Sequence, residues 1–221
     1  MYEHERSSAT GRMLMGVAWV VLLLGLWLWG RAVTDVRQGI SAPTTGDMAA
    51  VGRPPDTELP PAAQPLRQAV PLRIDIPDLG VQAPVVPRGL DRQGAIDPPP
   101  FDQPGVVGWY AAGVKPGAVG AALFVGHVDT ETKPAVFYRL AGLRPGAAVR
   151  VVRGDGRVAE FAVEDVKILD RDHFDAQEAY GPRQPGRAEL RLVTCGGTFD
   201  RASRTYSANV VVSAYLTGSG H

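Results

Sequence analysis

One cysteine and four histidines are the whole supply of thiol and imidazole chemistry in this 221-residue chain. Cys195 closes an apolar run, LRLVT, and is followed at once by Gly196 and Gly197. A side chain at a strand end beside two glycines sits where the backbone turns sharply and another molecule can approach closely. The thiolate is the nucleophilic form, so such a site calls for a cationic neighbour. His127 closes a second apolar run, AALFVG, and leads into Val128-Asp129-Thr130. Its ring nitrogens could take a proton from Cys195 and return it to a leaving amine. Asp129 would share a strand face with it and could orient it. Arg201 and Arg204 follow in TFDRASRTYS. If the last two strands are adjacent, this connection passes near the thiol, and a guanidinium there could stabilise an oxyanion.

Each residue also has a plain structural reading: a buried small hydrophobe for Cys195, a turn histidine for His127, surface charges for the two arginines. His173, in RDHFD, reads as a solvated loop residue. His4 and His221 sit at or near the chain ends, so Cys195 and His127 are the only pair available for thiol chemistry.

The bulk numbers narrow the alternatives. Lys+Arg and Asp+Glu are both 23, for a net charge of zero, which argues against a nucleic-acid binder driven by phosphate neutralisation. A single cysteine allows neither an internal disulfide framework nor a cysteine-rich metal cluster. With 45% hydrophobic and 21% charged residues, the composition is that of a globular protein.

Positioning elements can be read along the chain. Residues 1–12 form a short polar tail. Residues 13–30 carry no charge and would span roughly 27 Å as a helix, close to a bilayer core of about 30 Å. Trp27 and Trp29 near its end suit an aromatic belt. A soluble-domain helix would show polar positions every three or four residues, and no A-x-A-like cleavage site follows. The expectation is one uncleaved transmembrane signal anchor, with the large domain outside the membrane. Residues 31–70, Pro-rich from about 41, read as an extracellular linker. The folded domain is expected over 71–217. Strand patterns cover 72–77, 81–86, 121–128, two segments within 147–169 around the turn Asp155-Gly156, 189–195 and 206–216. A short helix or 3₁₀ turn is expected within 135–143. Many short strands separated by turn residues indicate an all-β barrel or sandwich. The Pro-rich stretch 97–104 reads as a surface loop.

The segments GHVDT (126–130) and LRLVTCGGTFD (190–200), with a downstream Arg, resemble the sortase family. VGWY (107–110), PGAVGAALFVGHVDT (116–130) and YSANVVVSA (206–214) are most similar to the class F sortases of actinobacteria. The resemblance covers 71–216. It implies a closed β-barrel of about eight strands with short helices or 3₁₀ turns. It further implies that Cys195 is the acyl-thioester nucleophile, His127 the proton donor and acceptor, and Arg204, with Arg201 in reserve, the oxyanion or substrate stabiliser. Many sortases carry that Arg at the start of the last strand, where Asn209 stands here. Thr194, Gly196 and Asp129 are expected to bind substrate. The implied reaction cleaves an LPXTG-like sorting signal between Thr and Gly and transfers the protein to a cell-wall amine, without metal or other cofactor. The implied partners are surface proteins with a C-terminal sorting signal, a peptidoglycan precursor or other amine acceptor, and the membrane, in a Gram-positive setting. Pocket shape would depend on 170–188 and 196–205. Two alternatives stand beside this reading. One is a non-catalytic sortase-like barrel that binds surface proteins. The other is an L,D-transpeptidase, whose SHGC-like run is absent before Cys195.

Overall fold

The computed structural model describes residues 58–92 and 94–220. The polar tail, the apolar segment 13–30 and the linker up to residue 57 lie outside the described residues.

Alternation in PLRIDI produces β1 (Pro71–Ile76), with Ile74 and Ile76 fully buried. A 3₁₀ turn over Pro77–Leu79 ends at Gly80, which takes φ 66°, a left-handed value that suits glycine. β2 (Val81–Arg88) returns antiparallel to β1. β3 (Val107–Tyr110) runs parallel to β2, and β4 (Gly120–Val125) antiparallel to β3. β5 (Ala148–Arg153) and β6 (Val158–Asp170) form a hairpin whose turn holds Asp155 and Gly156, the latter at φ 81°. β7 (Ala188–Asp200) and β8 (Thr205–Gly220) form the longest hairpin. The strand order β1-β2-β3-β4-β7-β8-β6-β5 closes on itself through β1 and β5, giving an eight-stranded barrel. Closure leaves no free sheet edge, the main liability of an all-β chain.

Three differences from the sequence reading have physical causes. VGWY is a strand although it is too short to show a period. The strand expected at 121–128 stops at Val125, because Gly126 and His127 turn away to meet the segment after Pro134. The last part of the expected linker lies against the barrel. Ala63 N–H donates to Leu216 O at 2.8 Å, Leu66 N–H to Gly117 O at 2.7 Å, and the Tyr215 hydroxyl to Pro60 O at 2.6 Å. Within 135–143 the chain forms a 3₁₀ turn at Leu140–Gly142.

The barrel interior is one apolar cluster that includes Ile74, Trp109, Phe124, Phe137, Phe161, Leu192 and Val212. Each such large side chain contributes about 1.5–3 kcal/mol by leaving water. A second, small cluster joins Val193 and Val211 to Ala179, with Leu169, Phe174 and Tyr180 packed against it. Here a short helix, α1 (Ala176–Tyr180), covers the outer face of β7 and β8. The Asp175 carboxylate caps it by accepting from the amides of Gln177 and Glu178. Leu192, Val210 and Val212 therefore point inward, and Val193 and Val211 outward.

The chain from α1 back to β7 is tied by a buried charge network. Glu189, fully buried, accepts from the amides of Arg183 and Gln184, both at 2.9 Å, from Arg187 at 2.9 Å and from fully buried Arg191 at 2.6 Å. Arg191 also donates to Gly181 O at 2.7 Å.

Candidate active site

β4 and β7 run parallel, with Val125 opposite Val193. Cys195 stands two residues further along β7, and His127 two residues past the end of β4 in the turn that follows it, so both lie at the same end of neighbouring strands. The strand period of two puts Cys195 on the outer face, with Val193 and away from the barrel interior. The site is thus built on the outside of the barrel, at one end of β4, β7 and β8. Gly126 allows the turn that presents His127. A Cβ there would lie 2.7 Å from Phe137 and 2.8 Å from Val136. The turn is held by Phe137 N–H donating to His127 O at 3.0 Å and Ala135 N–H donating to Val128 O at 3.0 Å.

His127 and Cys195 line one open cleft of about 1210 Å³, together with Phe101, Asp102, Asp129, Glu131, Arg171, Phe199, Arg201, Arg204 and Tyr206. Cys195 is open to solvent, while His127 is 8% exposed. Among the described residues no hydrogen bond joins the two.

The 97–104 stretch is more than a surface loop. The carbonyl of Pro99 lies 2.6 Å from His127 Nε2, and the Phe101 ring stacks on the imidazole with centroids 4.2 Å apart.

Asp129 does not hold His127. Its carboxylate accepts a hydrogen bond from the Tyr206 hydroxyl, tying the turn after β4 to the start of β8. That bond is the first cause, ahead of burial, that pushes the Tyr206 phenol up to about 12. In an absorbance titration, wild type is expected to show one tyrosine ionising near 12, and Asp129→Asn is expected to return it toward 10. An unchanged late transition in Asp129→Asn would remove this link.

Although Cys195 opens on the cleft, the groups packed around it strip away part of its water and raise the thiol above its ordinary pKa. Arg171 opposes the rise and Asp129 adds to it. Arg171 is the functional candidate that the sequence reading missed. It begins a 3₁₀ turn directly after β6, far from Cys195 in sequence. Strand order brings it near: Asp170 of β6 faces Ala208 of β8, which faces Gly196 of β7. Arg171 Nη1 donates to Tyr206 O at 3.4 Å. No local motif signals this; it follows from β6 pairing with β8.

The remaining candidates are distributed as follows. Arg204 lines the cleft at its exposed rim, where its guanidinium pairs with Glu131. Its backbone, at φ 54°, helps turn β7 into β8. Arg201 also lines the rim. Thr194 points into the barrel, 3% exposed, its Oγ1 without a hydrogen-bond partner among the described residues, and its side chain does not line the cleft. Gly196 is buried against β8, where a Cβ would lie 2.6 Å from Val210. It serves strand packing, and its α-carbon is not in the cleft wall. Asn209 stands directly across from Cys195. His173 is exposed, as expected. Of 170–188, only Arg171 reaches the cleft. Among the described residues no three His, Cys, Asp or Glu side chains converge as a metal site would require.

A closed eight-stranded barrel that brings a cysteine and a histidine to the wall of one open cleft has the groups that thiol chemistry needs. The model of the sortase domain matches residues 74–217, so the chain belongs to the sortase family of cysteine transpeptidases. The SrtA sortase from Actinomyces oris superposes with a TM-score of 0.53 at 20% identity, over 74% of this chain and 89% of that one. A lid mutant of sortase A from Corynebacterium diphtheriae gives 0.50 at 16% identity, over 69% and 73%. At such identities the likeness carries the fold. A search of curated proteins finds no match.

Proposed function

We propose that the chain is a membrane-anchored transpeptidase of the class F type. It cleaves an LPXTG-like sorting signal between Thr and Gly and transfers the protein to a cell-wall amine. The observation that carries this is that Cys195 on β7 and His127 just past the end of parallel β4 line one solvent-open cleft. The Cys195 thiolate attacks the Thr carbonyl carbon, forming a C–S bond and an oxyanion. The C–N bond to Gly then breaks as protonated His127 gives its proton to the departing amine, leaving an acyl-thioester. An amine attacks the thioester, neutral His127 takes the amine proton, and the thiolate leaves. The exposed ring of Phe199 offers apolar surface beside the nucleophile. The motif itself, the surface proteins and the peptidoglycan-type acceptor come from the family reading. The placement, a single pass through 13–30 with the barrel outside the membrane, rests on the uncharged apolar stretch there, and the Gram-positive setting on the family reading.

Positive charge stands on the Cys195 side of the cleft at Arg171, Arg201 and Arg204. Arg204, the sequence-level choice, spends its charge on Glu131 at the exposed rim. Arg171 is the one whose charge acts on Cys195, and it takes the stabilising role in this proposal. The test is transpeptidation of an LPXTG-type peptide by single variants. Arg171→Ala is expected to lose on the order of 10²-fold in kcat/KM, as removal of an oxyanion donor does. Arg204→Ala is expected to lose less than about 10-fold, as befits an exposed ion pair. A larger loss for Arg204→Ala than for Arg171→Ala would return the role to the β7–β8 turn. No turnover by wild type would favour the non-catalytic reading.

A further inference from the structure

His127 is held by backbone from a different part of the chain. Its Nε2 faces the carbonyl of Pro99 at 2.6 Å. A carbonyl oxygen only accepts, so Nε2 is the protonated nitrogen and donates. In the neutral ring the lone pair is then on Nδ1, and the bond persists when the ring becomes imidazolium. Phe101 stacks on the same ring, with planes 20° apart, although it is itself 68% exposed. A ring so open to water gains little from its own burial, and its ordered contact is with the imidazole.

The segment that supplies both groups is fixed at its two ends. Arg88, at the end of β2, donates from Nε to Asp97 O at 3.1 Å and pairs its guanidinium with the Asp97 carboxylate. Asp97 N–H donates to Gly89 O at 3.1 Å. At the other end, Val136 N–H donates to Pro104 O at 2.8 Å, and Gln103 N–H closes a turn on Pro100 O at 2.9 Å. Between these anchors run Pro98, Pro99 and Pro100, whose rings fix φ and stiffen the path that aims the Pro99 carbonyl. Gly108 of β3 lets the segment lie close: a Cβ there would meet Arg88 Cγ at 2.6 Å and Pro99 Cδ at 3.3 Å.

We propose that residues 97–104 form a strap that positions the reacting imidazole. The Pro99 carbonyl commits Nε2, so that Nδ1 alone handles the proton. Phe101 sets the plane of the ring, and Arg88 acts through the strap from the end of β2. This deepens the function proposed above and rests on His127 being its acid and base. In each half-reaction Nδ1 loses or gains one proton while Nε2–H stays with Pro99 O. Arg88 and Phe101 are positioning residues.

The experiment uses the full chain in detergent micelles, with the His127 imidazole read by ¹⁵N NMR and turnover read on an LPXTG-type peptide. His127→Gln assigns the signal. At mildly alkaline pH the wild-type ring is expected as a single tautomer, protonated at Nε2. Phe101→Ala, at an exposed position that leaves the fold intact, and Arg88→Ala are each expected to broaden or mix the tautomers. Each is expected to lower kcat by about 10-fold with little change in KM, as a small misplacement of a reacting group does. Arg88→Lys should recover part of both readouts. A wild-type ring protonated at Nδ1, or an Arg88→Ala variant with unchanged tautomer and kcat, would overturn the strap. A wild type with the Nε2–H tautomer and no turnover would sink the transpeptidase reading and leave the strap standing.

Discussion

Cys195→Ala is expected to abolish transpeptidation, by at least about 10⁴-fold, as loss of a covalent nucleophile does. It should do so with little effect on stability. The side chain is exposed on the outer face of β7 and makes no hydrogen bond in the described residues, so removal of its sulfur empties no core site. Loss of activity without loss of fold separates a nucleophile from a packing residue. The same thiol gives a signed pH dependence. Partial desolvation by the cleft wall raises its pKa above the ordinary value, so at neutral pH the thiol form is favoured. Iodoacetamide alkylation should follow the thiolate and rise to a midpoint above that of free cysteine, about 8.5. Arg171 lowers the pKa and Asp129 raises it. Arg171→Ala must therefore move the midpoint up, and Asp129→Asn must move it down. A midpoint below that of free cysteine would contradict the electrostatics described for this cleft.

Glu189→Ala is expected to destabilise the barrel by about 3–5 kcal/mol, the cost of stripping one partner from a buried ion pair. The alanine would leave Arg191, fully buried, without its carboxylate, and would orphan the amides of Arg183 and Gln184. Against the pull of burial, those amides and the Arg191 guanidinium hold the Glu189 carboxyl below its ordinary range. A lowered carboxylate contributes stability above its unfolded pKa and loses it as pH falls through the folded one. Wild type should therefore lose stability toward acid, and Glu189→Gln should flatten that limb of the curve. Denaturant midpoints across the acid range check this. A Glu189→Ala variant within 1 kcal/mol of wild type, judged against the usual scale of surface changes of about 0.5 kcal/mol, would refute it.

The parts of the protein that were legible in the sequence are those written in local pattern. Alternation marked β1 and β2, Asp155-Gly156 marked the β5–β6 turn, and the apolar runs ending at His127 and Cys195 marked the site. Scarcity did the rest, since no other thiol and no other well-placed imidazole existed. What the sequence hid depends on strand order. Arg171 comes into the same cleft as Cys195 because β6 lies beside β8, and Pro99 meets His127 because the 97–104 segment packs back over β3 at Gly108. Asp129 turned to Tyr206, a residue 77 positions away. Thr194 and Gly196 looked like substrate contacts beside the nucleophile. The strand period sends Thr194 inward, and β8 packs directly on Gly196. Residues 58–70 read as linker by composition, yet their backbone amides and carbonyls find partners on the barrel.

The most direct test of the central claim is intact mass spectrometry of the full chain in detergent micelles after incubation with an LPXTG-type peptide. Wild type is expected to gain the mass of the peptide through its Thr, to lose it again when an amine acceptor is added, and Cys195→Ala is expected to gain nothing. A wild type that forms no adduct, or a Cys195→Ala chain that forms the same one, would contradict the account.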